Sequence, residues 1–158
     1  MRIYLDANAV IRMVEGRDDS AERLADLARR LPRESLRTSE LSLSEVLVGV
    51  LRAGASEGEA AREELAAGYV ALIAPGATVA PYPVDRTLLI AAARLRASDL
   101  ALKLPDAIHV SSAVADGCAT IVSHDRKVRS VARSLGLLAV SLDLADLDAL
   151  FAEIDAAS

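Results

Sequence analysis

Short apolar runs alternate along this chain with longer stretches in which apolar residues recur every three or four positions. The first pattern marks buried strands and the second amphipathic helices. "RIYL" reads as a strand, followed by a helix that begins near Asn8 and ends by Gly16. "DDSAERLADLARRL" places Leu24, Leu27, Ala28 and Leu31 on one helical face, and Pro32 ends it. "SLRTS" predicts a second strand, "SLSEVLVGVLRAG" a helix stopped by Gly54, and "SEGEAAREELAAGYVALI" a helix with Ser56 and Glu59 as a capping box. "ATVAPYPV" carries two prolines and is expected at a sheet edge or in a connector. Four more elements follow from the same reasoning: helices over "DRTLLIAAARLRAS" and "LPDAIHVSSAVADG", a strand over "CATIVS" and a helix over "DRKVRSVARSLG". "LLAV" predicts a last strand and "SLDLADLDALFAEI" a closing helix.

Strands alternating with helices imply an α/β fold, three layers with a central, mostly parallel sheet covered on both faces. No repeat, linker or low-complexity segment interrupts the pattern, so the 158 residues are expected to form one domain. In such sheets ligands bind beyond the carboxyl ends of the strands. That rule gives meaning to the acids placed there.

Composition narrows the picture. Apolar residues make up 53% and charged residues 26%, a globular balance, while aromatics at 3% argue against a base-stacking platform. Cys118 has no cysteine to pair with, which suits a reducing compartment. The start "MRIYLDANAV" is interrupted by Asp6 and is no signal peptide, and no apolar run approaches a bilayer span. A cytoplasmic protein is expected. The net charge of −5 gives no overall attraction to nucleic acid, so any such contact falls to local basic clusters. Three exist: Arg29, Arg30, Arg33 and Arg37; Arg86, Arg94, Arg96 and Lys103; Arg126, Lys127, Arg129 and Arg133. Each also reads as a solvated helix face.

Asp6 follows the first strand, Asp125 follows the "ATIVS" strand with Ser123 two residues earlier, and Asp106 opens its helix after Pro105. Glu45 lies early in the helix after "LRTS", flanked by Leu43, Val46 and Leu47. Singly, the three aspartates read as helix caps or first-turn acids. Together, four carboxylates at one sheet edge repel one another, and a divalent cation resolves the repulsion. Oxygen ligands without a His/Cys set favour Mg²⁺ or Mn²⁺. Such an ion lowers the pKa of bound water and offsets charge on a phosphodiester, which points to metal-dependent hydrolysis of a phosphate ester.

The order "YLDANAVI", "LSLSEVLVGV", "LPDAIHVSSAVADG", "IVSHDRKV" and "LGLLAV" resembles the PIN-domain ribonucleases, and among them the VapC toxins of bacterial toxin–antitoxin pairs. The resemblance covers nearly the whole chain, and "LPDAIHVSSA" is its most specific part. It implies that Asp6, Glu45, Asp106 and Asp125 hold Mg²⁺ or Mn²⁺. It implies supporting roles for Asn8, the small polar position after the first acid, and for Ser123, which hydrogen-bonds near the site. It further implies endonucleolytic cleavage of RNA, a homodimer and inhibition by a cognate antitoxin, which in the family meets the helical region corresponding to Arg12–Arg37.

Two departures stand out. His124-Asp125 replaces the more usual Asn-Asp, and Glu40 competes with Glu45 for the second acid; "SEVLVG" fits the motif better at Glu45. His109, one turn after Asp106, reads as a packed helix residue bonded to backbone or to a neighbouring acid, or else as a proton carrier or ligand. His124 is expected to be exposed, with RNA contact as its alternative role. Arg126 and Lys127, beside Asp125, are the candidates to hold a phosphate, since an acidic site alone repels RNA. Haloacid-dehalogenase phosphatases also end an early strand in Asp, but their second Asp falls here on Asn8; the acid pair and acceptor Asp that a receiver domain needs are both absent from this sequence. The remaining alternative is a PIN-like module that binds RNA or a partner without cutting.

Overall fold

The computed structural model describes residues 1–52 and 58–156. Strands β1 (Ile3–Leu5), β2 (Leu36–Ser39), β3 (Val79–Tyr82), β4 (Thr120–Val122) and β5 (Leu138–Val140) form one sheet in the order β3-β2-β1-β4-β5. Every neighbouring pair is parallel. The chain builds outward from β1 to β2 and β3, then crosses back to place β4 on the other side of β1. The strand order therefore reverses between β1 and β4, where an open parallel sheet leaves a crevice.

Alternation along the strands sorts the core into two layers. Ile3, Leu5, Val122 and Val140 face α1 (Ala7–Glu15), α2 (Asp19–Arg30), α3 (Glu40–Arg52), α4 (Glu59–Leu72) and α8 (Leu144–Ala156). Tyr4, Ile121 and Ala139 face α5 (Arg86–Ser98), α6 (Leu104–Ala115) and α7 (Arg126–Ser134). This is the three-layer α/β/α arrangement that the sequence pattern implies.

Most boundaries fall within two residues of the expected ones, because caps and breakers act locally. Asp85 caps α5 by accepting from Leu88 N, and the Pro81-containing strand β3 lies at the sheet edge, where a missing N–H is tolerated. Gly16 closes α1 at a position that admits no side chain, since a Cβ there would collide with the Arg12 carbonyl at 2.4 Å and Ala21 Cβ at 2.6 Å. Helix α3 starts earlier than expected, at Glu40 directly after β2. Thr38 Oγ1 ties this junction together, bonding the Leu5 carbonyl and Ser42 Oγ at 2.7 Å each. Gly54 and Ser56, the expected stop of α3 and cap of α4, lie outside the described residues; α4 begins at Glu59 after Gly58. Among the described residues no helix is long and apolar enough to cross a membrane.

Candidate active site

Strands β1 and β4 each deliver an acid to the crevice between them. Asp6 follows β1, bonds the Val122 carbonyl through its N–H at 3.2 Å, and caps α1 with Oδ1, which accepts from Ala9 N at 2.8 Å. Asp125 caps α7 with Oδ1, accepting from Lys127 N at 2.6 Å and Val128 N at 3.1 Å. The cap reading of both residues is therefore correct as well as their placement at the crevice. Ser123, fully buried, sits between them: its Oγ accepts from Asp125 N at 3.1 Å and its hydroxyl acts on Asp6 as a donor.

Two helices close the crevice. Pro105 in the first turn of α6 directs Asp106 towards it, and α3 brings Glu45 from the other side of β1. The result is a cleft of about 310 Å³ lined by Asp6, Glu45, Asp106 and Asp125, with Asn8, Lys103, His109 and the apolar Ala7, Ile11 and Val128. Another pocket, of about 360 Å³, lies at the opposite end of the sheet against Leu36 and Thr78; Arg33 is its only charged lining residue. All four acids lie in the first.

The acids in the cleft carry the electrostatic mark of crowding. Burial is the main cause that pushes the Asp6 carboxyl above its usual range, and Glu45 adds to the rise; Ser123, the Ala9 N–H and His109 oppose it. Asp106 is pushed up first by its own burial and next by the charge of Asp125, against the pull of His109 and Lys103. Carboxylates so placed gain when a cation enters.

The residues fit a hard divalent ion in donor chemistry, since the four acids offer only oxygen. The bonds that cap α1 and α7 use Oδ1 of Asp6 and Asp125, so each keeps Oδ2 for other partners. Among the described residues no three His, Cys, Asp or Glu side chains stand close enough to hold one ion directly. Two direct carboxylates with the remaining acids acting through water is a normal Mg²⁺ arrangement.

Glu40 is exposed at the first position of α3 and is not among the residues lining the cleft, so Glu45 is the α3 acid at the site. Asn8 is exposed at the rim and is shared with an adjoining pocket of about 340 Å³ that also holds Arg12 and the exposed His124. Arg126 and Lys127 do not line the cleft; Arg126 is exposed and Lys127 forms an ion pair with Asp99. The cation at the rim is instead Lys103, which the sequence offered only as one member of a loose basic cluster. Other members of those clusters serve the fold: Arg37 pairs with Asp116, Arg129 bonds the Ser123 and His124 carbonyls, and Arg133 bonds the Ala139 carbonyl. His109 is buried, as the packed reading expects, and bonds a neighbouring acid, Glu45, at 2.9 Å.

A family model described as the PIN domain matches residues 3–134, a span that contains all four acids and all five strands but the last. The chain belongs to the PIN-domain family. Sequence comparison with curated proteins finds no match. Solved structures similar to this PIN domain include FitAcB from Neisseria gonorrhoeae, at 18% identity and a TM-score of 0.66, covering 87% of this chain and 95% of that one. VapBC2 from Rickettsia felis, bound to a promoter DNA fragment, is similar at 17% identity and a TM-score of 0.62, covering 90% and 100%. Mycobacterium tuberculosis VapC20, described as a sarcin–ricin loop cleaving toxin, shares 14% identity and a TM-score of 0.60 over 86% of this chain and 96% of that one. At these identities the likeness establishes the fold, and with it the doubly covered parallel sheet.

Proposed function

We propose that this PIN domain is a Mg²⁺- or Mn²⁺-dependent endoribonuclease and the toxin of a toxin–antitoxin pair. The observation that carries the reading is the convergence of Asp6, Glu45, Asp106 and Asp125 on one cleft at the strand-order reversal of a PIN-domain chain. The similar structures support the toxin assignment, since VapC20 among them is described as a toxin.

In this reading the four acids hold the metal, which when bound supplies Lewis acidity at the phosphate and an activated water. Asp6 contributes a carboxylate that burial has already destabilised in its charged form, so ion binding relieves a penalty built into the fold. Ser123 keeps Asp6 and the Asp125 backbone in register, and Asn8 orients groups at the rim. Lys103 meets the RNA backbone beside the acids, and Arg126 and Lys127 hold the phosphate further along α7 once Lys127 leaves Asp99. The cytoplasm is the compartment, one domain the extent, a homodimer the assembly, and a cognate antitoxin the partner.

The non-cutting alternative draws on the absence of three acids within direct coordinating distance among the described residues. Incubating a structured RNA pool with wild type, Asp6→Asn and Asp106→Asn in Mg²⁺, Mn²⁺ or EDTA separates the two. Cleavage that needs both the ion and the two acids supports the nuclease. Mn²⁺ binding by calorimetry with no cleavage of any RNA favours the binding module.

A further inference from the structure

Glu45 is held differently from the other three acids. Asp6 and Asp125 are fixed by backbone N–H groups of the helices they cap, and Asp106 by a short side chain in a first turn stiffened by Pro105. Glu45 lies within α3, on a longer side chain that is 35% exposed. Such a side chain gives up rotamer freedom when held in one place. Its one hydrogen bond among the described residues comes from His109, whose Nε2 stands 2.9 Å from Oε2.

His109 is itself held from behind. The residue is 4% exposed, and Nδ1 lies 2.9 Å from the hydroxyl of the fully buried Tyr4, with the two rings edge to face at 65°. The tautomer follows from the network. A carboxylate only accepts, so Nε2 carries the proton that faces Glu45, and Nδ1 takes the Tyr4 hydroxyl proton. Tyr4 sits in the middle of β1, the central strand of the sheet, two residues before Asp6. A core histidine with only a packing role needs no partner at the mouth of a cleft; this one spends its outward nitrogen there.

We infer that Tyr4 and His109 are positioning residues that anchor Glu45 to β1, fixing Oε2 and leaving Oε1 to face the ion. The inference rests on the reading of Glu45 as a metal ligand given above. Outer groups that orient metal ligands in this way commonly change metal affinity by 10- to 100-fold when removed. The strut also joins the acid from α3 to the same strand that delivers Asp6, so two ligands from different layers share one reference.

The test is calorimetric titration of Mn²⁺ into the full chain, with RNA cleavage recorded in parallel. His109→Leu is expected to weaken Mn²⁺ by about 10- to 100-fold. His109→Gln, whose amide reaches the Nε2 position, is expected to restore most of that loss. Tyr4→Phe removes only the hydroxyl and is expected to weaken Mn²⁺ by a smaller factor, and it carries the test if His109→Leu does not fold. In a Glu45→Gln background neither substitution should have a further effect, because the group they aim is gone. Unchanged Mn²⁺ affinity in His109→Leu and Tyr4→Phe, or equal losses with and without Glu45, overturns the inference and leaves His109 a packing residue. Wild type that binds no Mn²⁺ overturns the metal site itself, and this inference with it.

Discussion

Asp6 and Asp125 stand at the ends of adjacent parallel strands, and each caps the helix that follows with Oδ1. Both therefore serve the fold and the cleft with the same side chain. The two duties are separable by substitution, since a cap needs an acceptor oxygen and an ion needs charge.

Asp125→Ala is expected to lower stability by about 1 kcal/mol, the usual effect of a lost cap, and to abolish cleavage. Asp125→Asn keeps the acceptor and is expected to stay near wild-type stability while also failing to cleave. Urea denaturation alongside an RNA assay checks both. Equal stability of the Ala and Asn proteins would remove the cap from the account.

Asp6→Asn goes further, because Asp6 is buried and its charged form is disfavoured. Without metal, the Asn protein is expected to be more stable than wild type by about 0.5–2 kcal/mol, the range common for a single stabilising substitution. Adding Mn²⁺ should raise the melting temperature of wild type and leave that of Asp6→Asn nearly still.

The pH dependence carries a definite sign. Asp6 and Asp106 have folded pKa values raised above the ordinary 3.8, so folding is favoured by their protonation. Their contribution is fully present below 3.8 and is lost as pH rises through the raised values. Asp99 and Asp146, lowered by Lys127 and Ser141, act in the opposite sense, so the difference between proteins is the useful quantity. The stability advantage of metal-free Asp6→Asn over wild type should be largest at neutral pH and shrink as pH falls. Constant advantage from pH 7 to pH 4 would show that burial does not disfavour the Asp6 charge.

Lys103→Ala is expected to weaken RNA binding and to reduce the steepness of its salt dependence by about one phosphate contact, with folding unchanged. Filter binding of a non-cleaved RNA by the Asp106→Asn protein, across a salt series, measures this. The same slope with and without Lys103 would move RNA contact to Arg126 and Lys127.

Asp116 offers a control far from the cleft. It caps the end of α6 and accepts from Arg37 and Arg2, and Arg37 is largely buried. Asp116→Ala is expected to cost about 3–5 kcal/mol because it strands a buried guanidinium, with no change in Mn²⁺ affinity.

How far the site could be read in advance depends on the range of the interactions involved. Asp6, Asp106 and Asp125 were legible because each follows a strand or opens a helix, and strand, cap and breaker signals are local; Glu45, inside α3, stood out as a carboxylate among apolar neighbours. Lys103 was not, because its place at the rim depends on how the fold carries the start of α6 to the acids of other elements. Lys127 adjoins Asp125 in the chain, but its ammonium pairs with Asp99 at the C-terminal end of α5, a contact that sequence adjacency does not announce. The partner of His109 was foreseeable only as some acid, since Tyr4, Glu45 and His109 come from three elements that meet through the fold. The early start of α3 had no turn residues to announce it, as β2 runs straight into the helix at Glu40.

The central claim is hydrolysis of an RNA phosphodiester by water at the acid cleft. The most direct test is the end chemistry of RNA cleaved by wild type in Mg²⁺, with Asp6→Asn and an EDTA sample beside it. The account predicts linear phosphate and free hydroxyl ends, formed only by wild type and only with the ion. Cyclic 2′,3′-phosphate ends, formed equally in EDTA or by Asp6→Asn, would mean that the RNA's own hydroxyl attacks and that these acids do not carry the reaction.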